Sequence, residues 1–453
     1  MPARFAPSLD EFVARHPGIT SVDALMVDLN GVLRGKRMPI QALGKLDSGD
    51  LCFPRGATLL DTLGRAADSL PWGVLDGDPD RPVSAVATSL SPDPVRPDTD
   101  AQVLIYPVER DGAAWFACPR TVLQRQIDAL SALGITATIA LELEFHVFDA
   151  AIERGLQPAT GSASSRQFVG PQTYNLLQLD DHRAMVDAIQ SAAAASGIPT
   201  TSVLSEYGSG QFEINLKHVA DPMLACDHAV LMRRAVKAVA AEHGALATFM
   251  AKPLETDSGN GMHVHVSLHR RDGSAVFEGN PDAPGEHMRH AIAGMIQTLP
   301  PSMAMLAPNA NSWRRFRADF YAPVSANWGI NHRQVALRIP MSSVENLRIE
   351  HRVAGADANP YLVVAAVLAG VLSGLESASE PPPATGDGEA VRAGQSLPLR
   401  WREALSALRA SDAFCERIGR DFAGAYCAMK WVEEEQFHAQ VGQNDLCHYV
   451  RTI

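Results

Sequence analysis

Acids set among apolar residues are the first chemistry the chain offers. In "TIALELEFHVFD", residues 138 to 149, Glu142 and Glu144 alternate with Leu141, Leu143 and Phe145. Side chains at i and i+2 of a strand share a face, so both carboxylates point one way while the apolar trio points the other. Four further stretches carry the same oddity. They are "SEYGSGQFEINL" with Glu206 and Glu213, "SGNGMHVHVSL" with His263 and His265, "NSWRRFR" with Arg314, Arg315 and Arg317, and "NLRIEHRVAGADANPYL" with Arg348, Glu350 and Arg352. Singly, each has an ordinary explanation as a solvated strand face or a hydrogen-bonded core histidine. Together they demand partners. Two carboxylates about 4 Å apart repel by roughly 4 kcal/mol at an effective dielectric near 20, so a converging cluster needs cations.

Divalent metal ions meet that need. Oxygen-rich ligation with a single imidazole suits Mg²⁺ or Mn²⁺, and the lack of a Cys-x-x-Cys pair argues against a structural zinc site. Arginines beside the acids point the same way, because a guanidinium grips carboxylate or phosphate with two parallel hydrogen bonds. Alternation in "RIEHR" puts Arg348, Glu350 and Arg352 on one face, two anion grips flanking one acid. The pattern suggests phosphoryl transfer to a carboxylate. Neither "GxxxxGK[ST]" nor a helix-opening "GxGxxG" occurs, so the common nucleotide cradles are missing.

These residues need a scaffold, and the chain is long enough for one. Its 453 residues suggest two domains, 46% hydrophobic and 20% charged residues fit a soluble globular protein, and a net charge of −12 argues against a nucleic-acid or anionic-membrane partner. The first residues carry charges throughout and lack the apolar centre of a secretory signal. The uncharged stretch "PYLVVAAVLAGVLSGL" is too short for a membrane span and reads as a buried helix. Six scattered cysteines fit reduced thiols and a cytoplasmic location.

Residues 20 to 115 read as short strands broken by turns, with a domain boundary at residues 116 and 117. Helical spacing follows in "TVLQRQIDALSALG" and at 181–196, 222–243, 285–299 and 399–420, with strands at "QFEINL", "GMHVHVSL" and "VALRIP". A Pro- and Gly-rich surface loop is expected from Ser379 to Gln395.

The ordered blocks resemble the glutamine synthetase family over nearly the whole chain. "VDLNGVLRGKRMP", the helix and Glu-x-Glu strand, "GSGQFEINL", "ATFMAKP" with "SGNGMHVHVSL", "NSWRRF" with "NHRQVALRIP", and "RIEHRVAGADANPYL" carry the resemblance. It implies an α+β fold: a β-grasp domain over residues 1–116, and over 117–453 a catalytic domain with a curved antiparallel sheet and flanking helices. It also implies a homo-oligomer of stacked rings, a dodecamer. Glu144, Glu206 and Glu213 then look like the ligands of one metal, and Glu142, His263 and Glu350 like those of another, with two to three ions per site. Arg315, Arg352 and the backbone of Gly259 resemble the glutamate-holding residues. His265, Ser267, Arg338 and Arg348 resemble ATP contacts, and Arg333 and Glu213 the catalytic pair.

One block departs from the family pattern. Where ammonia-using members carry a flap glutamate, this chain has "ADFYAP", with Tyr321 in the glutamate's place. A neutral phenol cannot hold ammonium as a carboxylate does, and its ring presents apolar surface. The family's ammonium-site aspartate has no recognisable match, and the loop from Ser379 to Gln395 contains no tyrosine for adenylylation. The reading is a ligase joining the glutamate γ-carboxylate to an organic amine through a γ-glutamyl phosphate, with Tyr321 in the amine pocket. Glutamine synthesis with an altered flap and a non-catalytic relative are the alternatives.

Overall fold

The computed structural model describes residues 5–68, 70–151, 155–161, 170–317, 321–386 and 394–452. Part of the expected loop, residues 387–393, lies outside the described residues, as do 318–320 beside Tyr321. Helix α1 (Ala6–Arg15), which the strand-rich reading of the N-terminal region did not foresee, precedes the first sheet. That sheet contains β1 (Ser21–Val27), β2 (Leu33–Pro39), β3 (Cys52–Pro54), β4 (Asp80–Ala85), β5 (Ser91–Pro92) and β6 (Asp100–Pro107). Its order is β2-β1-β6-β4-β3 with β5 beside β6, and β1 runs parallel to β6. Alternation along β1 divides two cores. Val22, Ala24 and Met26 pack with Phe5, Leu9 and Phe12 of the α1 segment, whereas Leu25 and Val27 join the large core of the rest of the chain.

The second sheet carries the acids. Around β7 (Ile135–Asp149) stand β8 (Thr200–Ser205), β9 (Gln211–Leu216), β10 (Ala245–Thr248), β11 (Met262–Arg270), β12 (Trp328–Ile330), β13 (Leu337–Ile339) and β14 (Ile349–His351). The order is β12-β13-β14-β11-β7-β9-β8, with β10 on the far end of β7, and every pair is antiparallel except β12 with β13. Leu141, Leu143 and Phe145 face the core and are essentially inaccessible, so the opposite face of β7 presents Glu142 and Glu144.

Helices back this sheet: α2 (Pro119–Ala132), α3 (Arg183–Ala195), α4 (Pro222–Glu242), α5 (Glu286–Leu306) and α6 (Pro360–Ser377). Pro360 opens α6, where its missing N–H costs nothing, and the Asn359 side chain accepts from Tyr361 N at 3.0 Å. Among the described residues, α6 alone is long and apolar enough to cross a membrane, and it is buried inside the fold. The helix expected over 399–420 is two, α7 (Trp401–Ala410) and α8 (Asp412–Ile418). Ser411 leaves the helical region at ψ 85°, and Gly419, at φ 102°, precedes α9 (Arg420–His438).

Candidate active site

Strand register assembles the cluster. Glu144 of β7 lies opposite Glu213 of β9, Glu142 opposite His263 of β11, His265 opposite Glu350 of β14, and Glu350 opposite Arg338 of β13. Two groups have ligand atoms mutually within 4.8 Å: Glu142 with His263 and Glu350, and Glu144 with Glu213 and His263. The first is the set that sequence reading grouped on one metal. In the second, His263 completes the triad. Glu206, just beyond β8, stands outside that triad, although its charge acts on Glu144.

Hydrogen bonds orient both imidazoles. Arg348 donates its Nε to His265 Nδ1 at 3.1 Å, so the His265 proton sits on Nε2, 2.8 Å from Glu142 Oε1. His263 Nδ1 lies 3.0 Å from the other Glu142 oxygen, which leaves His263 Nε2, 3.9 Å from Glu144 Oε1, with a lone pair for an ion. Burial raises the Glu142 pKa, but the two histidines outweigh it and hold the carboxyl well below its ordinary range. At Glu350, burial is likewise overcome by Arg352, His265 and His263, giving a value of about 2. Arg338 reaches Glu350 at 2.7 Å, and Arg352 bonds its other oxygen.

The other acids behave oppositely. Burial, reinforced by Glu206, pushes Glu144 up to about 8, and burial with Glu142, Glu144 and Glu206 pushes Glu213 up to about 9. Glu206 is also raised by burial. Such acids accept a divalent ion in place of their protons, so the donor set fits Mg²⁺ or Mn²⁺.

The remaining expected residues lie around this cluster. Arg315 is buried and anchored through Val353 O at 2.8 Å, with its electrostatic field reaching Glu144. A Cβ on Gly259 would stand 2.4 Å from Ala251 O and 2.9 Å from Arg315 Cγ, so only glycine admits this packing. His265, Ser267 and Arg348 line a cleft of about 980 Å³ that runs from Glu142 to Arg271. Arg338 lies outside that lining, tied to Glu350 and to Asn331 at 2.8 Å. Arg333 is exposed, forms no ion pair among the described residues, and acts electrostatically on Glu206. Tyr321 is 53% exposed in a left-handed conformation, φ 55°, which is strained for an aromatic residue.

Sequence reading passed over three supporting residues. Gly261 donates its N–H to Glu144 at 2.6 Å, and a Cβ there would meet Arg315 at 2.7 Å and His263 at 3.0 Å. Gln211 holds the Gly259 carbonyl at 3.0 Å and the Asn260 side chain at 3.1 Å. Asn260, fully buried, also meets the His146 ring at 2.8 Å. The signal was present in "SGNG", whose alternating glycines mark a backbone that other groups approach closely.

Comparison with known proteins gives first the class. The family model described as the catalytic domain of glutamine synthetase matches residues 116–449, and the protein is an enzyme, a ligase that forms carbon–nitrogen bonds. A γ-glutamylputrescine synthetase, PuuA, of Escherichia coli K12 is 37% identical over 98% of this chain and 94% of its own. A glutamate–isopropylamine ligase of a Pseudomonas species is 30% identical over 98% and 97%. A solved structure described as a GmaS/ADP complex superposes with a TM-score of 0.84 at 24% identity, covering 99% of this chain and all of that one, and so shares the fold. The chain belongs to the glutamine synthetase family.

Proposed function

We propose that the protein joins the γ-carboxylate of glutamate to an organic amine, a polyamine or monoamine, using ATP and passing through γ-glutamyl phosphate. The observation that carries this reading is the Glu142–His263–Glu350 cluster, whose Glu142 lines a wide cleft, in a chain 37% and 30% identical over nearly its whole length to two relatives named for amine substrates. Two to three Mg²⁺ or Mn²⁺ ions, held by that set and by Glu144, Glu206 and Glu213, supply charge neutralisation and polarisation of the phosphoryl oxygens when bound.

The chain's own residues do the rest. Ser267, His265 and Arg348 in the cleft, with Arg338, bind ATP. Arg315, Arg352 and the Gly259 backbone hold glutamate so that a γ-carboxylate oxygen attacks the terminal phosphorus and ADP departs. Arg333 offsets the charge that spreads over the transferring phosphoryl oxygens. Amine nitrogen then attacks the acyl carbon, phosphate leaves, and the nitrogen loses a proton. Glu213, the second catalytic residue of this reading, adds its carboxylate beside Glu144, and the Tyr321 ring lines the amine's path.

The same proposal includes the division at residues 116 and 117, a stacked-ring dodecamer, and a cytoplasmic setting, which six free cysteines support. Phosphate release with glutamate, ATP and Mg²⁺ tests the function, comparing ammonia with putrescine, spermidine, ethanolamine, aliphatic monoamines and aromatic amines. One of the organic amines is expected to give the highest kcat/KM. Highest efficiency with ammonia would overturn the amine assignment, and no turnover with any donor would overturn the ligase reading.

A further inference from the structure

A second cavity, of about 680 Å³, lies where the β1–β2 turn of the N-terminal sheet meets α4, and none of the clustered acids or histidines lines it. Five basic side chains do, against the two acids Asp23 and Asp357. Three of the five are balanced. Arg37 and Arg234 hold Asp23 at 2.7 and 2.8 Å, Arg234 also reaches Asp93 at 2.8 Å, and Lys430 pairs with Glu433 at 2.8 Å.

Arg233 and Lys237, one turn apart on α4, are not balanced. Among the described residues no carboxylate lies within 4.0 Å of either, and at this spacing two like charges repel. Arg233 donates to Ala358 O at 2.9 Å, with its guanidinium 5.3 Å from the Phe249 ring centre, and Lys237 Nζ stands 5.9 Å from the same ring. The Asp357 charge acts on Arg233 from beyond ion-pair distance, while one of its oxygens accepts from Asn309 at 2.7 Å and Ser312 at 2.6 Å. Burial lowers Arg233 to about 10, and burial with the Arg233 charge lowers Lys237 to about 8, although part of the Lys237 side chain is exposed. Two cations kept together against a low-dielectric wall are costly unless an anion joins them.

We propose that this cavity binds a small organic dianion, a phosphate ester or a dicarboxylate, gripped by Arg233 and Lys237. The guanidinium fork suits two anionic oxygens, and the ammonium adds a point charge at the rim. Val32, Leu33, Val230, Met250 and Pro308 add apolar lining beside the polar Asn30, Thr62, Thr248 and Asn309, a mixed surface that suits a carbon skeleton bearing anionic groups better than a bare inorganic ion. The β1–β2 turn closes one side, with Gly31 at φ 75° where a Cβ would lie 3.7 Å from the Arg233 guanidinium.

Isothermal titration of the full chain with glycerol 3-phosphate, succinate, inorganic phosphate and acetate tests this, with and without Lys237→Met. Lys237 is exposed at the rim, so its substitution opens no core, and matching thermal unfolding of the variant verifies the fold. Wild type is expected to bind one of the two organic dianions saturably, about tenfold or more tighter than acetate and inorganic phosphate, in a phase that Lys237→Met removes. Arg233→Lys, which keeps the charge and loses the fork, is expected to weaken that phase about tenfold. Preference between glycerol 3-phosphate and succinate identifies the anion class. No saturable binding of either, or binding unchanged by Lys237→Met, would overturn the proposal.

Discussion

Glutamates on neighbouring strands of one sheet make up both halves of the acid cluster, and the two halves are charged differently. On the β11–β14 side, Glu142 is matched by two imidazoles and Glu350 by two guanidiniums, and both carboxyls are held below their ordinary range. On the β9 side, Glu144 and Glu213 face each other and Glu206, with Gly261 N–H and Asn215 as their close donors, and their values rise to about 8 and 9. One half is neutralised by the protein; the other depends on what binds. The contrast teaches where an incoming cation does most for the fold. An ion bound there would replace protons at Glu144 and Glu213, whereas at Glu142 and Glu350 it would join charges already balanced.

Substitutions and pH separate the halves. The largest effect is expected from Arg352→Met, which strips one cation from buried Glu350. Breaking such a pair costs about 3–5 kcal/mol, read by thermal or urea unfolding, and ligase activity should fall about 1,000-fold. Glu213→Gln is expected to act in the opposite direction on stability. In chelator at pH 10 it removes an unmatched charge and raises Tm, while near pH 4, where the acid is protonated in the folded and unfolded chain alike, it leaves Tm nearly unchanged; activity with Mg²⁺ drops about 100-fold. A fall in Tm at pH 10 would equate the two halves.

A pH series on the chelated wild type gives the next effect. Stability from Glu142 and Glu350 is present above the ordinary glutamate value of 4.5 and is lost as pH falls, for Glu350 through about 2. Stability from Glu144 and Glu213 has the reverse sign: it is present below 4.5 and is lost as pH rises through about 8 and 9. Tm should therefore peak near pH 5 and decline toward pH 9, and Mg²⁺ added at pH 9 should restore it. A Tm flat between pH 5 and 9 would remove the distinction. The smallest effect is expected outside the cluster, where Tyr321→Glu should raise kcat/KM for ammonia about tenfold over the wild type. No gain would mean that this position does not set the nitrogen donor.

Much of this arrangement was legible in the sequence because it follows backbone periodicity. Alternation in "LELEF" fixes which side of β7 is apolar, and the same rule places Glu350 between its flanking arginines. The long core helix announces itself by Asn359, Pro360 and an uninterrupted apolar run. What escaped depends on spacing across strands. His263 stands near both acid pairs because β11 is in register with β7, and no local pattern encodes that register. Gly261 and Gln211 act through atoms more than 40 residues away in sequence, so the glycines of "SGNG" mark a close approach without naming the groups that approach, and Gln211 carries no local mark. The break at Ser411 was missed because apolar helical spacing continues across it, while one residue's ψ decides the outcome.

Activation of glutamate as an acyl phosphate, the step proposed for the cluster, is tested directly by isotope transfer. Glutamate carrying oxygen-18 in its γ-carboxylate is incubated with ATP, Mg²⁺ and the best amine donor, and the released phosphate is analysed by mass. One labelled oxygen per phosphate is the expected result, because the oxygen that attacks phosphorus leaves with it. Amide product accompanied by unlabelled phosphate would contradict the account.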